Sequence, residues 1–415
     1  MTPPAPDASA DLGPTPKATP PMTAGLVGII LILGCSYTFN GMDRSVFPAL
    51  LSPINKEFGL SVAQGGFLSN IFTLNIALFG ASAGWFMGRF GRKWTLVGGW
   101  IAYSIFTLLI PLAHAYPALA FFRAMTGAGE ALQIAASYSM LGAFFAHRRG
   151  AFLGIHNAFF AIGTFLGPFI GTHMFAALGS WRPPFYLYGI TGVAAALGVI
   201  FLVPSSFSEK VDAEEVSMAG AEGCPEGLIN LNSALCVIAF FLTGFSFLAY
   251  TALYTLFLRD SLGYSVVAAG TAFSMYGIGG LTGLVGGWVS DVLRRYGLGL
   301  SLAVMAGSGY LMFNGVSSLP AQMLLSFVFG AMLSGFLYPR FMAVAQRSVR
   351  PHHIGGAMSM MLPAFYLAGF ISAPVFGSLA PLIGWANAGT VSITLPAAAA
   401  GLITLLISPA RMRGT

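Results

Sequence analysis

Twelve apolar runs, each long enough to cross a lipid bilayer, follow one another along this chain of 415 residues. A transmembrane helix needs about 20 predominantly apolar residues. Charged residues make up only 8% of the chain and apolar residues 56%, whereas soluble domains carry about 25% charged residues. The sequence therefore predicts an all-α membrane protein with twelve transmembrane helices. The runs span residues 24–50, 64–88, 95–115, 117–146, 151–178, 185–204, 229–258, 265–291, 298–316, 320–347, 354–381 and 388–408.

A polar, acidic stretch between the sixth and seventh runs divides the chain into two halves. It covers residues 205–228 and contains six of the thirteen Asp and Glu residues. The residues before the first run are rich in Pro, Ala and Thr, a composition typical of disorder. The predicted units are a disordered N-terminal tail (1–22), an N-terminal six-helix bundle (23–204), a cytoplasmic linker (205–228) and a C-terminal six-helix bundle (229–409).

The two halves share sequence patterns, which predicts two pseudo-symmetric bundles. The segment GTFLGPFIG at residues 163–171 recurs as GFISAPVFG at residues 369–377, an offset of 206 residues. Residues 84–93 recur more loosely as residues 287–295. Parallel repeats with a binding site between them are a known design of secondary transporters, in which one half rocks against the other.

The distribution of basic residues predicts the orientation of the chain. With both termini in the cytoplasm, the cytoplasmic side holds thirteen of the nineteen Lys and Arg residues, and the opposite loops hold three. Cytoplasmic loops carry the excess of basic residues in membrane proteins. We therefore expect a multi-pass protein of the bacterial inner membrane with both termini cytoplasmic. The scattered basic residues do not indicate nucleic-acid binding.

Two acidic residues, Asp43 and Glu130, lie well inside apolar runs, and each has an arginine nearby in sequence, Arg44 or Arg123. A charge at the bilayer centre costs at least ~2.5–3.5 kcal/mol, and it persists where it faces a partner or a water-filled path. Arg123 and Glu130 are seven residues apart, about 10 Å along a helix. We therefore expect them to pair with groups on the first helix rather than with each other.

Such an arrangement could couple anion binding to protons. Desolvation favours the neutral form of a carboxylate, and a nearby arginine favours the ionised form. Arginine stays charged and offers a planar fork to a carboxylate. If Glu130 is protonated, Arg44 or Arg123 becomes free for a substrate anion. Asp43 and Glu130 are thus the predicted proton-coupling residues; the alternative is a static network of ion pairs.

Further polar and aromatic residues lie in the spans where a central cavity is expected. Arg340 is a candidate clamp from the second half, or a residue that extends to the membrane interface. Tyr250 and Tyr254 are four residues apart and share a helix face, and buried tyrosines need hydrogen-bond partners. Packing is the alternative for each tyrosine taken singly. The predicted substrate-binding residues are Arg44, Arg123, Arg340, Tyr37, Tyr138, Tyr250, Tyr254, Tyr276, Tyr338, Tyr366 and Asn157.

Over nearly its whole length the chain resembles the major facilitator superfamily. The superfamily's loop motif between helices two and three matches at Gly84 and at Gly91, Arg92 and Lys93. It departs at Gly88, where the family usually has Asp. The second copy of the motif keeps that acid as Asp291. The resemblance implies a gating role for Gly84, Arg89, Gly91, Arg92, Lys93, Asp291 and Arg294.

Within the superfamily, the buried charges are similar to those of two groups of transporters. The pair Asp43-Arg44 on the first helix and the pattern Arg123-x6-Glu130-Ala131 on the fourth resemble the anion:cation symporters, which include sugar-acid transporters and sialin. The segment beginning at Trp181 also fits that group. The spinster-like lipid transporters share a similar pattern of charges.

These patterns together predict a secondary transporter that imports a small organic anion with protons by alternating access. The expected partners are that anion, protons and the lipid bilayer, and a monomer is expected. Nucleotide motifs, a catalytic constellation and metal-ligand spacing are absent from the sequence, so we expect no enzyme activity, cofactor or metal.

Two alternatives remain open at this point. One is a proton-coupled exporter of a drug or a lysolipid-like amphipath, because residues 163–171 resemble the helix-five motif of drug:proton antiporters. The other is a non-transporting sensor built on the same fold, although the chain lacks a long soluble appendage.

Overall fold

The structure, a computed structural model, describes residues 23–145, 148–209, 225–284 and 297–412, and regular secondary structure in these ranges is entirely helical. Helices satisfy their backbone hydrogen bonds internally, as a segment in lipid requires. The predicted gating residues Asp291 and Arg294 lie outside the described residues, as do the tail 1–22 and most of the acidic segment.

The first half contains six long helices. They agree with the predicted runs to within a few residues at most ends. A short helix that was not predicted, Leu51–Phe58, follows the first of them. The helices are α1 (Ala24–Ala49), α2 (Val62–Phe90), α3 (Arg92–Leu109), α4 (Tyr116–Phe144), α5 (Arg149–Leu178) and α6 (Pro183–Leu202).

The second half repeats this arrangement. Its last two helices form one continuous stretch, Ile354–Leu405, which is interrupted at Gly384. Gly384 has φ 79°, a left-handed conformation that glycine adopts at little cost. The helices are α7 (Leu231–Asp260), α8 (Val266–Gly280), α9 (Gly297–Tyr310), α10 (Leu319–Arg347), α11 (from Ile354 to the break at Gly384) and α12 (from the break to Leu405).

Local sequence explains where several of these helices begin. Ser61 and Gln64 form a capping box at the start of α2, and Asn230 and Ser233 form another at the start of α7. Such side chains satisfy the backbone N–H groups that the first turn of a helix leaves free. Within the described ranges, nine helical stretches are long and apolar enough to cross a membrane. This count takes Ile354–Leu405 as one stretch and does not include α4 or the shorter α8.

The glycine motif of residues 163–171 is a helix-packing surface between α5 and α1. Gly163 lies against the backbone carbonyl of Thr38, and a Cβ atom on Gly167 would stand 2.6 Å from the carbonyl oxygen of Met42. Small residues allow this close backbone approach, which is how helices associate in lipid. The second copy, around Ala373 on α11, packs in part against α2 of the other half.

The two halves meet tightly at one end of the molecule. A Cβ atom on Gly66 of α2 would stand 2.7 Å from the carbonyl oxygen of Ala373, and Gly270 of α8 lies against Thr172 of α5. We call this the closed end. It carries the short helix Leu51–Phe58. The opposite end, where α2 joins α3, is called the open end.

Candidate functional site

A cavity of about 400 Å³ lies between the two halves and extends toward the open end. Eight helices line it, four from each half: α1, α2, α4 and α5, and α7, α8, α10 and α11. Asn157 on α5 and Ser334 on α10 are exposed lining residues, one from each half. The volume is in the range of cavities that hold small molecules.

Arg44 is the one cation among the described residues that line this cavity. Its side chain is 11% exposed, and its Nε donates to Glu130 Oε2 at 2.7 Å. Its Nη1 donates to the hydroxyl of Tyr366 at 3.2 Å. The rings of Phe72 and Phe160 each lie 5.5 Å from the guanidinium carbon. Arg44 is therefore held between one carboxylate and a group of aromatic rings.

Asp43 and Arg123 form a second ion pair, deeper in the first half. Arg123 Nη1 donates to Asp43 Oδ2 at 3.0 Å, and both side chains are almost fully buried. Thr107 of α3 donates to the other carboxylate oxygen at 2.6 Å. The Arg123 guanidinium also lies 4.6 Å from the ring centre of Phe72. This pair does not line the cavity.

The pairing joins α1 to α4, as the seven-residue spacing of Arg123 and Glu130 predicted. With both carboxylates ionised, the two acids and the two arginines have no net charge. Three of their buried atoms have no hydrogen-bond partner among the described residues: Arg44 Nη2, Glu130 Oε1 and Arg123 Nε. The cluster therefore retains donors and an acceptor that a proton or an anion could use.

Aromatic side chains lie between this cluster and the open end, along one side of the cavity. Tyr37 of α1 stacks on His156 of α5, with ring centres 4.5 Å apart. His156 is buried and its Nε2 lies 3.1 Å from the hydroxyl of Ser137. Nearer the open end, Tyr138 donates to Asn157 Oδ1 at 2.7 Å. A ligand that enters from the open end would meet Tyr138, Asn157 and Tyr37, which line the cavity, before it reaches Arg44.

The structure brings most of the predicted substrate-binding residues to the cavity. Each of them contributes to the lining, and they come from both halves. They are Tyr37, Arg44, Tyr138, Asn157, Tyr276, Tyr338 and Tyr366.

Tyr250 and Tyr254 are placed elsewhere, so their expected position at the cavity is wrong. Both have no exposed surface. The hydroxyl of Tyr250 lies 2.6 Å from that of Ser326, and Tyr254 donates to Gln322 at 2.8 Å. The two tyrosines do share a helix face, but that face points toward α10 inside the second half.

Two predicted arginines also lie away from the described lining. Arg123 is fully buried against Asp43, because α4 turns this residue toward α1 rather than toward the cavity. Arg340 is half-buried on α10 directly after Pro339, and Pro339 lines the cavity while Arg340 does not. Successive residues of a helix are rotated by about 100°, which places the Arg340 side chain on another face of α10 from Pro339.

The loop motif between α2 and α3 is held by an acid that the sequence did not single out. The carboxylate of Glu209 accepts the backbone N–H groups of Arg92 and Lys93, at 3.3 and 3.2 Å. Gly91, with φ 81°, makes the turn that allows this. Gly84 and Arg89 are exposed near the end of α2. A carboxylate at a helix N-terminus is favoured by the backbone dipoles.

Several residues of the site carried no signal in the sequence. Thr107, which donates to Asp43, is one of many threonines in apolar runs. Phe72, which lies beside both arginines, looks like any apolar residue of α2. Asn70 donates from α2 to the carbonyl oxygens of Leu248 and Gly369 in the other half, at 2.9 and 3.0 Å. An asparagine inside an apolar run was the one available indication.

In the described part of the chain, twelve main helices form two pseudo-symmetric bundles with a cavity between them that extends toward one end, an architecture typical of secondary transporters. The sequence profile of the Major Facilitator Superfamily matches residues 33–373. The chain therefore belongs to that superfamily, and the predicted resemblance and fold class are confirmed. It is a multi-pass membrane transporter and not an enzyme.

Two bacterial relatives are named as carriers of sugar acids. The hexuronate transporter of Bacillus subtilis (strain 168) is 28% identical over 277 residues, which are 64% of this chain and 65% of that protein. The probable galactarate/D-glucarate transporter GarP of Escherichia coli (strain K12) is 26% identical over 312 residues, 66% of this chain and 69% of that protein. The chain thus spans about two thirds of each relative.

A solved structure shares the fold over nearly the whole chain. It is the crystal structure of a bacterial homolog of the human lysosomal transporter spinster in an inward-facing and unoccupied conformation. The TM-score is 0.72 at 16% sequence identity, with coverage of 94% of this chain and 97% of that chain. At this identity the likeness concerns the fold alone.

Proposed function

We propose that this protein is a proton-coupled symporter of a small organic anion, a carboxylate. The observation that supports the proposal most directly is the position of Arg44. It lines the cavity, and Glu130 holds it through Nε alone. The sugar-acid relatives support the anionic substrate class.

The substrate anion and the Glu130 carboxylate would compete for Arg44. When Glu130 takes up a proton, its oxygen no longer neutralises the guanidinium, and Arg44 can bind a carboxylate of the substrate. The hydroxyl of Tyr366, which accepts from Nη1, is the group that the substrate would displace. The charge-assisted bond that replaces it is stronger than a neutral one.

The charge of the cluster sets the coupling. Two arginines and two ionised carboxylates are neutral together, so one proton gives the cluster a charge of plus one. A bound monocarboxylate restores neutrality, which burial in a low dielectric favours. We therefore propose one proton for each monoanion, with the proton on Glu130. Asp43, already bonded to Arg123 and Thr107, would be the second coupling residue and would position Arg123.

The proposed orientation places the open end toward the cytoplasm. The basic residues of the α2–α3 loop lie at this end, and basic residues concentrate on the cytoplasmic side. Both termini would then be cytoplasmic in a bacterial inner membrane. Transport would proceed by rocking of the two halves, which closes the open end and separates the contacts at the closed end.

Uptake into liposomes that contain the purified protein tests the proposal. We expect an imposed pH gradient, acid outside, to drive accumulation of at least one radiolabelled carboxylate from a panel of sugar acids and aromatic acids. A protonophore should abolish accumulation but not exchange of labelled for unlabelled substrate. Liposomes without the protein provide the control.

Thermal stability of the purified protein tests the competition for Arg44. A carboxylate should stabilise the protein more at pH 5.5 than at pH 8, because a protonated Glu130 leaves Arg44 free. The stabilisation should increase with ligand concentration by mass action. If lysolipids or lipophilic cations stabilise the protein and no carboxylate does, the protein is instead an exporter of amphipaths.

A further inference from the structure

We infer that the substrate is a monocarboxylate with an apolar, ring-sized body, rather than a polyhydroxylated sugar acid or a dicarboxylate. The inference rests on the proposed function, because it takes Arg44 as the anion site. It departs from what the names of the sugar-acid relatives would suggest. Charge, hydrogen bonding and shape of the cavity lining each support it.

The charge of the lining matches one carboxylate. Arg44 is the one cation that the described lining contains. Arg123, the other arginine of the cluster, is fully buried and bonded to Asp43 Oδ2. A second carboxylate on the substrate would therefore meet no second cation in the described part of the lining, and an ionised group that loses its water without a partner binds poorly.

The amide and threonine side chains of the lining are bonded to the protein itself, whereas the hydroxyl of Ser69 has no hydrogen-bond partner among the described residues. Asn70 donates to two backbone carbonyls, and Asn157 is bonded to Tyr138 and to the carbonyl oxygen of Leu153. A site that recognises hydroxyl groups needs donors and acceptors that are free to meet them. The other lining groups bonded in this way are Thr164, Thr251 and Tyr366.

Aromatic rings cover the wall that faces Arg44 from the second half. Phe247 of α7, Phe273 of α8 and Phe365 of α11 line the cavity there. On the first-half side, Phe160 lies beside the guanidinium of Arg44. A carboxylate on Arg44 would place the rest of a small acid against these rings, and aromatic groups pack favourably edge-to-face or in offset stacks.

Four acids separate the effect of the number of carboxylates on the ligand from the effect of an apolar or hydroxylated body. Benzoate is an apolar monocarboxylate, phthalate an apolar dicarboxylate, glucuronate a hydroxylated monocarboxylate and galactarate a hydroxylated dicarboxylate. We expect benzoate to stabilise the purified protein at pH 5.5 and to bind about tenfold or more tightly than each of the other three. Dissociation constants follow from the thermal shift against ligand concentration.

The possible results distinguish this inference from the proposed function. If glucuronate or galactarate binds as tightly as benzoate, the inference is wrong and the proposed function stands. If phthalate matches benzoate, the single-cation argument is wrong. If none of the four binds and lysophosphatidylcholine does, both the inference and the proposed function are wrong.

A second cation in the lining should change the preference. Ser334 is exposed in the lining, on the wall formed by α10. We expect Ser334→Arg to improve binding of phthalate relative to benzoate by about tenfold, whereas Ser334→Gln, similar in length and neutral, should not. An unchanged ratio in a folded Ser334→Arg protein would contradict the role of charge in the inference.

Discussion

The first and fourth helices of each half are joined across their buried faces, but the two halves use different chemistry. In the first half, two ion pairs join α1 to α4: Asp43 with Arg123, and Arg44 with Glu130. In the second half, neutral hydrogen bonds join α7 to α10, from Tyr250 to Ser326 and from Tyr254 to Gln322. None of the charged residues described in the second half is buried.

Because of this difference, we expect the two bundles to respond differently to a change in pH. Buried ion pairs are costly to form and respond strongly when one partner changes its charge. Neutral hydrogen bonds that tyrosines form with a serine hydroxyl and an amide keep their strength over the whole physiological pH range, since phenols ionise near pH 10. Under the proposed function, the first half would therefore respond to protons, and the second half would provide a constant wall for the cavity.

The largest expected effect tests the charged half at Glu130, the proposed coupling residue. Glu130→Gln should abolish accumulation driven by a pH gradient, because Gln cannot carry the proton, while exchange of labelled substrate persists. The measurement is uptake and exchange in liposomes. Tyr254→Phe, a change in the same helix pair of the other half, is the matched control and should accumulate substrate. Normal accumulation by Glu130→Gln would remove Glu130 from the mechanism.

The next effect concerns the stability of the deeper ion pair. Arg123→Met should lower the free energy of unfolding by about 3–5 kcal/mol, because it leaves the charge of Asp43 buried without a cation. The double change Asp43→Asn, Arg123→Gln should recover much of that loss, since no charge then remains unpaired. Unfolding in detergent measures both. Equal loss in the single and the double variant would show that packing, and not charge, holds this pair.

The contact between the halves provides a smaller effect. Asn70 donates to two carbonyls of the second half, whereas Asn75 on the same helix donates to Ala124 within the first half, at 2.8 Å. Asn70→Ala removes bonds worth about 0.5–1.5 kcal/mol each. It should therefore increase the fraction of molecules in which the two halves have separated at the closed end.

Asn75→Ala is the control, since it loses a similar bond without loosening the contact between the halves. Spin labels at Lys56→Cys and Ser261→Cys, in a background without the native cysteines, report the distance across the closed end. If both alanine variants shift this distance equally, or neither does, Asn70 does not hold that end shut.

The neutral hydrogen bond from Tyr254 to Gln322 in the second half should have a smaller effect on stability and transport. Tyr254→Phe removes one hydroxyl and leaves the oxygen of Gln322 without that donor, so we expect a loss of about 1 kcal/mol in stability. Transport should stay within about twofold of the parent, because Tyr254 does not line the cavity. Unfolding and uptake assays measure the two quantities. A large loss of uptake would mean that the second half also takes part in coupling.

The smallest effect belongs to an exposed ion pair and shows what burial adds. Glu57, on the short helix at the closed end, accepts from Arg182 Nη1 at 3.0 Å and from Trp181 Nε1 at 2.6 Å. Hydrogen bonds from Arg182 hold the pKa of the Glu57 carboxyl below its ordinary value, partly offset by desolvation. The side chain of Glu57 is 40% exposed, so solvent screens the pair.

A carboxylate with a lowered pKa in the folded state stabilises the protein above its unfolded pKa, and this stabilisation is lost as the pH falls through the folded pKa. We therefore expect Glu57→Gln to flatten the decrease of melting temperature below about pH 5. Melting curves from pH 3 to pH 7 check this. If the melting temperature of Glu57→Gln decreases at low pH as steeply as that of the parent, the exposed pair contributes nothing to stability.

The sequence determined the helices, their number and the location of the buried charges. Apolar runs of about 20 residues report directly on spans, because every residue in the run must tolerate lipid. The acids Asp43 and Glu130 were visible because a charge in such a run is rare and costly. The pairing between α1 and α4 also followed from the sequence, since seven residues separate Arg123 and Glu130 too widely for them to meet.

The tertiary structure alone decided which polar side chains face the cavity. Tyr250 and Tyr37 lie in similar apolar runs, yet Tyr37 lines the cavity and Tyr250 is bonded to Ser326 inside the second half. A helix in a membrane bundle is apolar on all sides, so its sequence carries no amphipathic pattern that distinguishes the cavity face from a packed face. Rotation of each helix is set by contacts with its neighbours, such as that of Gly163 with Thr38, and those contacts exist only in the folded protein.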